Sequence, residues 1–219
     1  MEKLAQAFES FNRKERNLLV RAALGHKETP LRLSAKFREK VSKRLGIDPI
    51  PEDAWWATDY HFGWLAGALA VYSGDQEALV KPGRPNPLDG ATRRRLVEGN
   101  QEDIDLVIAF GQNLILLEAK AYGAWSNGQM KSKLERLHLL CAYRDELRQA
   151  TDLPIELHLL LISVGQPKKL AKARVPWSDS EIDLPWISLD IDDEISVRTV
   201  TRCNSIGNAD AKGDRWRVA

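Results

Sequence analysis

The stretch EDIDLVIAFGQNLILLEAKAY, residues 102 to 122, constrains the fold of this chain more than any other. Two apolar runs flank Gly111-Gln112, and glycine at the first central position suits a two-residue type II′ turn. With that turn Phe110 pairs with Asn113, Asp105 falls opposite Glu118, and Asp103 falls opposite Lys120. Alternation predicts one face bearing Asp103, Asp105, Val107 and Ala109 beside Leu114, Leu116, Glu118 and Lys120. The other face carries Ile104, Leu106, Ile108, Phe110, Ile115, Leu117, Ala119 and Ala121. It is wholly apolar, and a one-residue slip would scramble both faces.

Around the hairpin the patterns are mostly helical before it and mixed after it. Leu4, Phe8 and Phe11 recur at helical spacing, as do Leu18, Leu19, Ala22 and Ala23 before Gly25. A further helix is predicted from Ser34 to Gly46, burying Phe37 and Val41. Residues 54 to 72, AWWATDYHFGWLAGALAVY, read as one buried helix, and KPGRPNPLDG (81 to 90) as a loop. TRRRLVE (92 to 98) reads as a strand. A helix is expected over 127 to 149, with Met130, Leu134, Leu137 and Cys141 as its buried stripe. PIELHLLLISV (154 to 164) has the continuous apolarity of a strand covered on both faces. ISVRTVTRC and DRWRVA suggest a closing pair of strands. The order helix, three strands, helix, strand predicts a mixed α/β fold, with residues 1–50 as an N-terminal helical extension and 51–219 as the main domain.

Bulk properties set outer bounds. A chain of 219 residues, 43% hydrophobic and 29% charged, is ordinary for a globular protein. No apolar run approaches the roughly 20 residues of a membrane span. Cys141 and Cys203 suggest neither a disulfide framework nor zinc spacing, and the N-terminus lacks a secretory pattern, so a cytoplasmic location is expected. Net charge is +1, but residues 1 to 45 hold twelve Lys or Arg against five acids, while residues 181 to 194 hold six acids and no Lys or Arg. This asymmetry permits a basic surface for a polyanion without requiring one.

Chemistry concentrates at the hairpin's open end. Two carboxylates opposed on one pleated face lie about 5 Å apart at Cβ and repel. They need a cation, a shared proton or full solvent access. Mg²⁺ answers the first need, taking a few carboxylate oxygens while keeping several waters. Lys120, two residues beyond Glu118, is placed to orient or deprotonate a water, or to offset phosphate charge. Metal, water and lysine around an anionic centre describe phosphodiester hydrolysis. The plainer alternative is an exposed strand end in which Asp103 and Lys120 form a surface ion pair of little energetic worth.

Asp105, the turn, then Glu118-Ala119-Lys120 between apolar strands and a helix resemble the PD-(D/E)XK nuclease superfamily, the restriction-endonuclease-like fold, over roughly residues 54 to 165. The resemblance implies a central mixed sheet flanked by helices. It also implies Mg²⁺ (with Mn²⁺ able to substitute) held by Asp105, Glu118 and the Ala119 carbonyl, with Lys120 as catalytic lysine. Ile104 stands where the family often has proline. A further acid often joins the site; Asp59, Glu77, Glu98 and Asp103 are the candidates. Gln129 matches the family's helix glutamine, but Ser126 to Gln129 equally fits a capping box. Arg93, Arg94, Arg95, Lys133 and Arg136 are candidates for phosphate contacts, or else ordinary basic surface. The expected function is a metal-dependent nuclease acting on nucleic acid, with DNA expected over RNA. No membrane association is expected, and a homodimer is plausible. The alternative is a catalytically inactive nuclease-fold module that binds nucleic acid or protein.

Overall fold

The hairpin forms in the register read from the sequence. In a computed structural model, β2 (Asp103–Phe110) and β3 (Asn113–Lys120) pair antiparallel with Phe110 opposite Asn113 and Leu106 opposite Leu117. Gly111 takes φ +53° while Gln112 does not enter the left-handed region, as a type II′ turn requires. The structure describes residues 3–90, 93–99, 102–120, 128–151, 154–165, 172–174, 181–189, 198 and 200–218.

Five strands build the main sheet in the order β1-β2-β3-β4-β7, with β1 spanning Trp55–His61, β4 Glu156–Ser163 and β7 Trp186–Ser188. The β1-β2 and β2-β3 pairs are antiparallel, whereas β3-β4 and β4-β7 are parallel. The fold is thus mixed α/β, a five-stranded mixed sheet with helices on both faces. Parallel β3 and β4 are joined through α6 (Gly128–Thr151), the crossover that parallel pairing demands. On one face α1 (Lys3–Glu9), α4 (Phe62–Ser73) and α6 bury Leu4, Phe8, Leu65 and Leu137 against Val107, Leu116 and Leu159. On the other face α3 (Ala35–Leu45) lays Val41 and Phe37 against Ile108, Ile115, Leu160 and Ile187.

Residues 1–189 form one compact unit and 190–219 a second. The N-terminal helices, expected as an extension, contribute Leu4, Phe8 and Val41 to the two apolar clusters of the first unit. In that unit β5 (Lys172–Arg174) pairs with β6 (Glu181–Asp183), and α5 (Gln76–Leu79) follows α4. In the second unit β8 (Val200–Cys203) pairs with β9 (Arg215–Val218), the closing pair expected from the sequence.

Three readings of the chain are corrected. Residues 54 to 72 are not one helix. Trp55 and Ala57 alternate inward as a strand does, and the chain turns at His61, whose Nδ1 accepts the Gly63 N–H and caps α4. TRRRLVE forms no strand among its described residues. Arg93 takes φ +60° and only Arg95 bridges, to Leu88. The Leu18 and Leu19 stripe of α2 (Glu15–Ala23) faces outward. The residue of α2 that turns in is Asn17, whose Oδ1 accepts the Thr58 N–H at 3.2 Å. By contrast α3 begins and ends as read, with Ser34 Oγ accepting the Phe37 N–H and Gly46 in the left-handed region.

One helix contact sets a limit on sequence. A Cβ built on Gly67 would stand 2.8 Å from the Phe11 ring. Gly67→Ala therefore forces the ring off α4 and costs about 1–3 kcal/mol, the usual range for overpacking. Urea unfolding checks this. An unchanged midpoint would show that Phe11 yields freely.

Candidate active site

The acids expected to face each other do meet. Regular pairing of β2 with β3 ends at Leu106 and Leu117, and one residue further a side chain takes over. Asp105 Oδ2 accepts the Ala119 N–H at 2.6 Å, which anchors the Asp105 carboxylate beside Glu118. Glu118 is only 5% exposed, covered by α6, Phe62 and Ile104. Its Oε2 accepts from the Lys133 ammonium at 2.5 Å, and its Oε1 meets no donor. A cavity of about 10 Å³ adjoins it, roughly the room of a single water.

Electrostatics follow from this packing. Burial is the largest influence on Glu118 and pushes its carboxyl up to about 8. Lys133 opposes that rise, while the Asp105 carboxyl adds to it by repulsion and by a side-chain hydrogen bond. An acid raised in the folded state stabilises the fold fully below its unfolded pKa, and that benefit is lost as pH rises through the folded value. Stability of the metal-free protein should therefore fall between about pH 4.5 and 8, on the order of 1.4 kcal/mol per pH unit from this group alone. Urea midpoints of wild type and Glu118→Gln at several pH values isolate that slope. Parallel slopes would refute the assignment.

Sheet register brings a third acid into line. The β1-β2 pairs run from Trp55 opposite Ala109 to His61 opposite Asp103, and in that register Asp59 stands across from Asp105. The pair itself is missing because Asp59 takes φ +51°, a costly conformation for a residue other than glycine. Asp59, Asp105 and Glu118 thus occupy one row across three adjacent strands. The irregularity also corrects the face assignment of Ile104. It packs with Tyr60 in the α4–α6 cluster, whereas Leu106 packs against the opposite one.

The remaining candidates separate by position. Asp103 lies one row further out and accepts from the Lys14 ammonium at 2.5 Å, so its ion pair is made with Lys14. Lys120 is half-buried at the end of β3. Glu77, on α5, pairs at 3.5 Å with Arg84 beside Tyr143, well along α6 from Lys133. Glu98 accepts from Arg94 at 3.0 Å and from the Arg95 N–H. These contacts commit Glu77 and Glu98 to other basic partners. Gln129 lies in the first turn of α6, but its side chain is outside the described residues, as are Ala121 and Ser126.

The phosphate candidates change most. Arg136 is fully buried, bonded to Glu102 at 3.1 Å with its guanidinium 4.4 Å over the Phe62 ring. It cannot reach a backbone phosphate and leaves the set. Arg94 spans Glu98 and Ser132, so it fastens the 93–99 segment to α6. Lys133 is turned into the acid pair. Arg93 and Arg95 are exposed, although Arg95 also donates to the Asn86 carbonyl. Conversely, Lys14 and Arg16, the latter 3.5 Å from Asp59, stand over the same end of the sheet. Neither was read from the sequence, and only their place in the basic N-terminal stretch hinted at them.

Among the described residues, no group of three or more Asp, Glu, His or Cys is gathered closely enough to hold a metal ion. Carboxylates are the donors a hard cation takes, and here two of them meet, with one Glu118 oxygen without a donor and the other occupied by Lys133. No helix among the described residues is long and apolar enough to cross a membrane. Comparisons with family models, with curated proteins and with solved structures find no match.

Proposed function

We propose that the chain is a metal-dependent nuclease with a restriction-endonuclease-like core, acting on DNA, with Asp105, Glu118 and Lys120 at its centre. The observation that supports this best is the contact of a buried carboxylate with a second one, Glu118 against Asp105, with Glu118 Oε1 left without a donor. Burying one carboxyl beside another raises its pKa and costs stability as pH rises, which a purely structural role does not require.

In this reading Asp105 and Glu118 hold Mg²⁺ or Mn²⁺, and Asp59 is the acid best placed by register to add to them. The bound ion supplies Lewis-acid polarisation of the phosphate and a more acidic water. Lys120, at the end of the same strand, offsets charge on the phosphate or takes the water's proton. Arg93, Arg95 and the basic start of the chain provide phosphate contacts that position the nucleic acid without reading it. A cytoplasmic setting and a homodimer cutting both strands belong to the same proposal.

The Lys133–Glu118 ion pair favours a second reading, a nuclease fold that binds nucleic acid or protein without cutting. Cleavage of plasmid, linear and single-stranded DNA with Mn²⁺ decides between them. The nuclease reading expects at least one substrate to be cut and the cut to vanish with a chelator. If every substrate stays intact, the enzyme reading is lost.

A further inference from the structure

The acid pair carries its own cation. Lys133, in the second turn of α6, points its ammonium at Glu118 Oε2, 2.5 Å away, with side chains only 18% and 6% exposed. Water screens such a pair weakly, but the desolvation of both groups offsets much of the attraction. Its charge arithmetic is also unfinished. Lys133 bonds Glu118 Oε2, the Asp105 carboxyl lies beside Glu118 as a second acid, and Glu118 Oε1 meets no donor. A divalent ion would balance that pair where a lysine cannot. The lysine also has somewhere to go, since its flexible four-carbon stem lets the head swing while the helix stays in place.

We infer that Lys133 is a resident counter-ion that a divalent cation must displace from Glu118, and that its freed ammonium then serves as a substrate-phosphate contact. The inference rests on reading Asp105 and Glu118 as a metal pair, and it adds how that pair is regulated. Without the ion, Lys133 neutralises Glu118 and occupies its Oε2. With it, the same residue adds positive charge where a phosphate arrives. Metal binding and the Lys133 contact oppose each other, and linkage makes the opposition reciprocal.

Mn²⁺ titrations of the full chain, with free ion counted by its paramagnetic resonance signal, read this without any cleavage. Lys133→Gln should bind Mn²⁺ about tenfold more tightly than wild type, within the range usual for coupled sites, and Lys133→Arg should bind like wild type. Glu118→Gln should lose the site. In wild type, Mg²⁺ should also speed acetylation of Lys133, followed by mass spectrometry, because a side chain released from its carboxylate is open to the reagent. The acetylation readout needs no variant to fold. Equal Mn²⁺ affinity in wild type and Lys133→Gln, with binding lost in Glu118→Gln, overturns the inference and leaves the metal pair standing. Acetylation indifferent to Mg²⁺ in a chain that binds Mn²⁺ overturns it in the same way. Absence of Mn²⁺ binding in every variant overturns both.

Discussion

Glu118→Ala should lower metal-dependent DNA cleavage by about three orders of magnitude, the loss that follows when several kcal/mol of charge stabilisation disappears. The fold should survive. Removing this carboxylate relieves the burial that raises its pKa, and Lys133, 18% exposed, can turn its ammonium to water. Circular dichroism and a urea midpoint at pH 8 should match or exceed wild type while cleavage vanishes. That combination separates a chemical defect from a structural one. If the variant cuts as fast as wild type, Glu118 has no part in the chemistry; if it unfolds, the residue is structural.

Arg136→Ala should destabilise the first unit by about 3–5 kcal/mol, because it breaks a buried ion pair and leaves a cavity. Arg136 donates to Glu102 at 3.1 Å and to the Leu96 carbonyl at 3.3 Å, with Phe62 beneath its guanidinium. The Glu102 carboxylate would keep its bond from Ser132, itself held by Arg94, but the tie between α6 and the segment before β2 would loosen. Arg136→Met should recover part of the loss by refilling the volume over Phe62. Thermal unfolding of the three proteins tests this. A shift of under about 3 °C for Arg136→Ala would mean that the network contributes little.

The hairpin was legible because its evidence is local. Alternation, a glycine at the turn and an apolar reverse face fix strand, register and the opposition of Asp105 to Glu118 together. For the same reason α3 showed its ends, through Ser34 and Gly46, and β4 its covered interior. Residues 54 to 72 were misread because an apolar run rich in aromatics and alanine carries no decisive period. What makes its first half a strand is the neighbouring β2, distant in sequence, which pairs with it at six positions. The twist at Asp59 and the inward turn of Ile104 depend on the same pairing.

Side-chain partners were the least legible part of the site. Lys133 and Arg136 both follow from helical spacing as polar-side residues, yet one reaches Glu118 and the other is sealed over Phe62. Lys14 meets an acid 89 positions away. Long basic side chains choose partners by tertiary placement, which spacing along the chain does not encode. Residue types named the acids; the fold decided which cation stands over each of them.

A crystal grown or soaked with Mn²⁺ and measured at the manganese absorption edge bears most directly on the central claim. The account predicts an anomalous peak bridging the Asp105 and Glu118 carboxylates, with the Lys133 ammonium moved off Oε2. A crystal that takes up no ion there, with Lys133 still bound to Glu118 at saturating Mn²⁺, would contradict it.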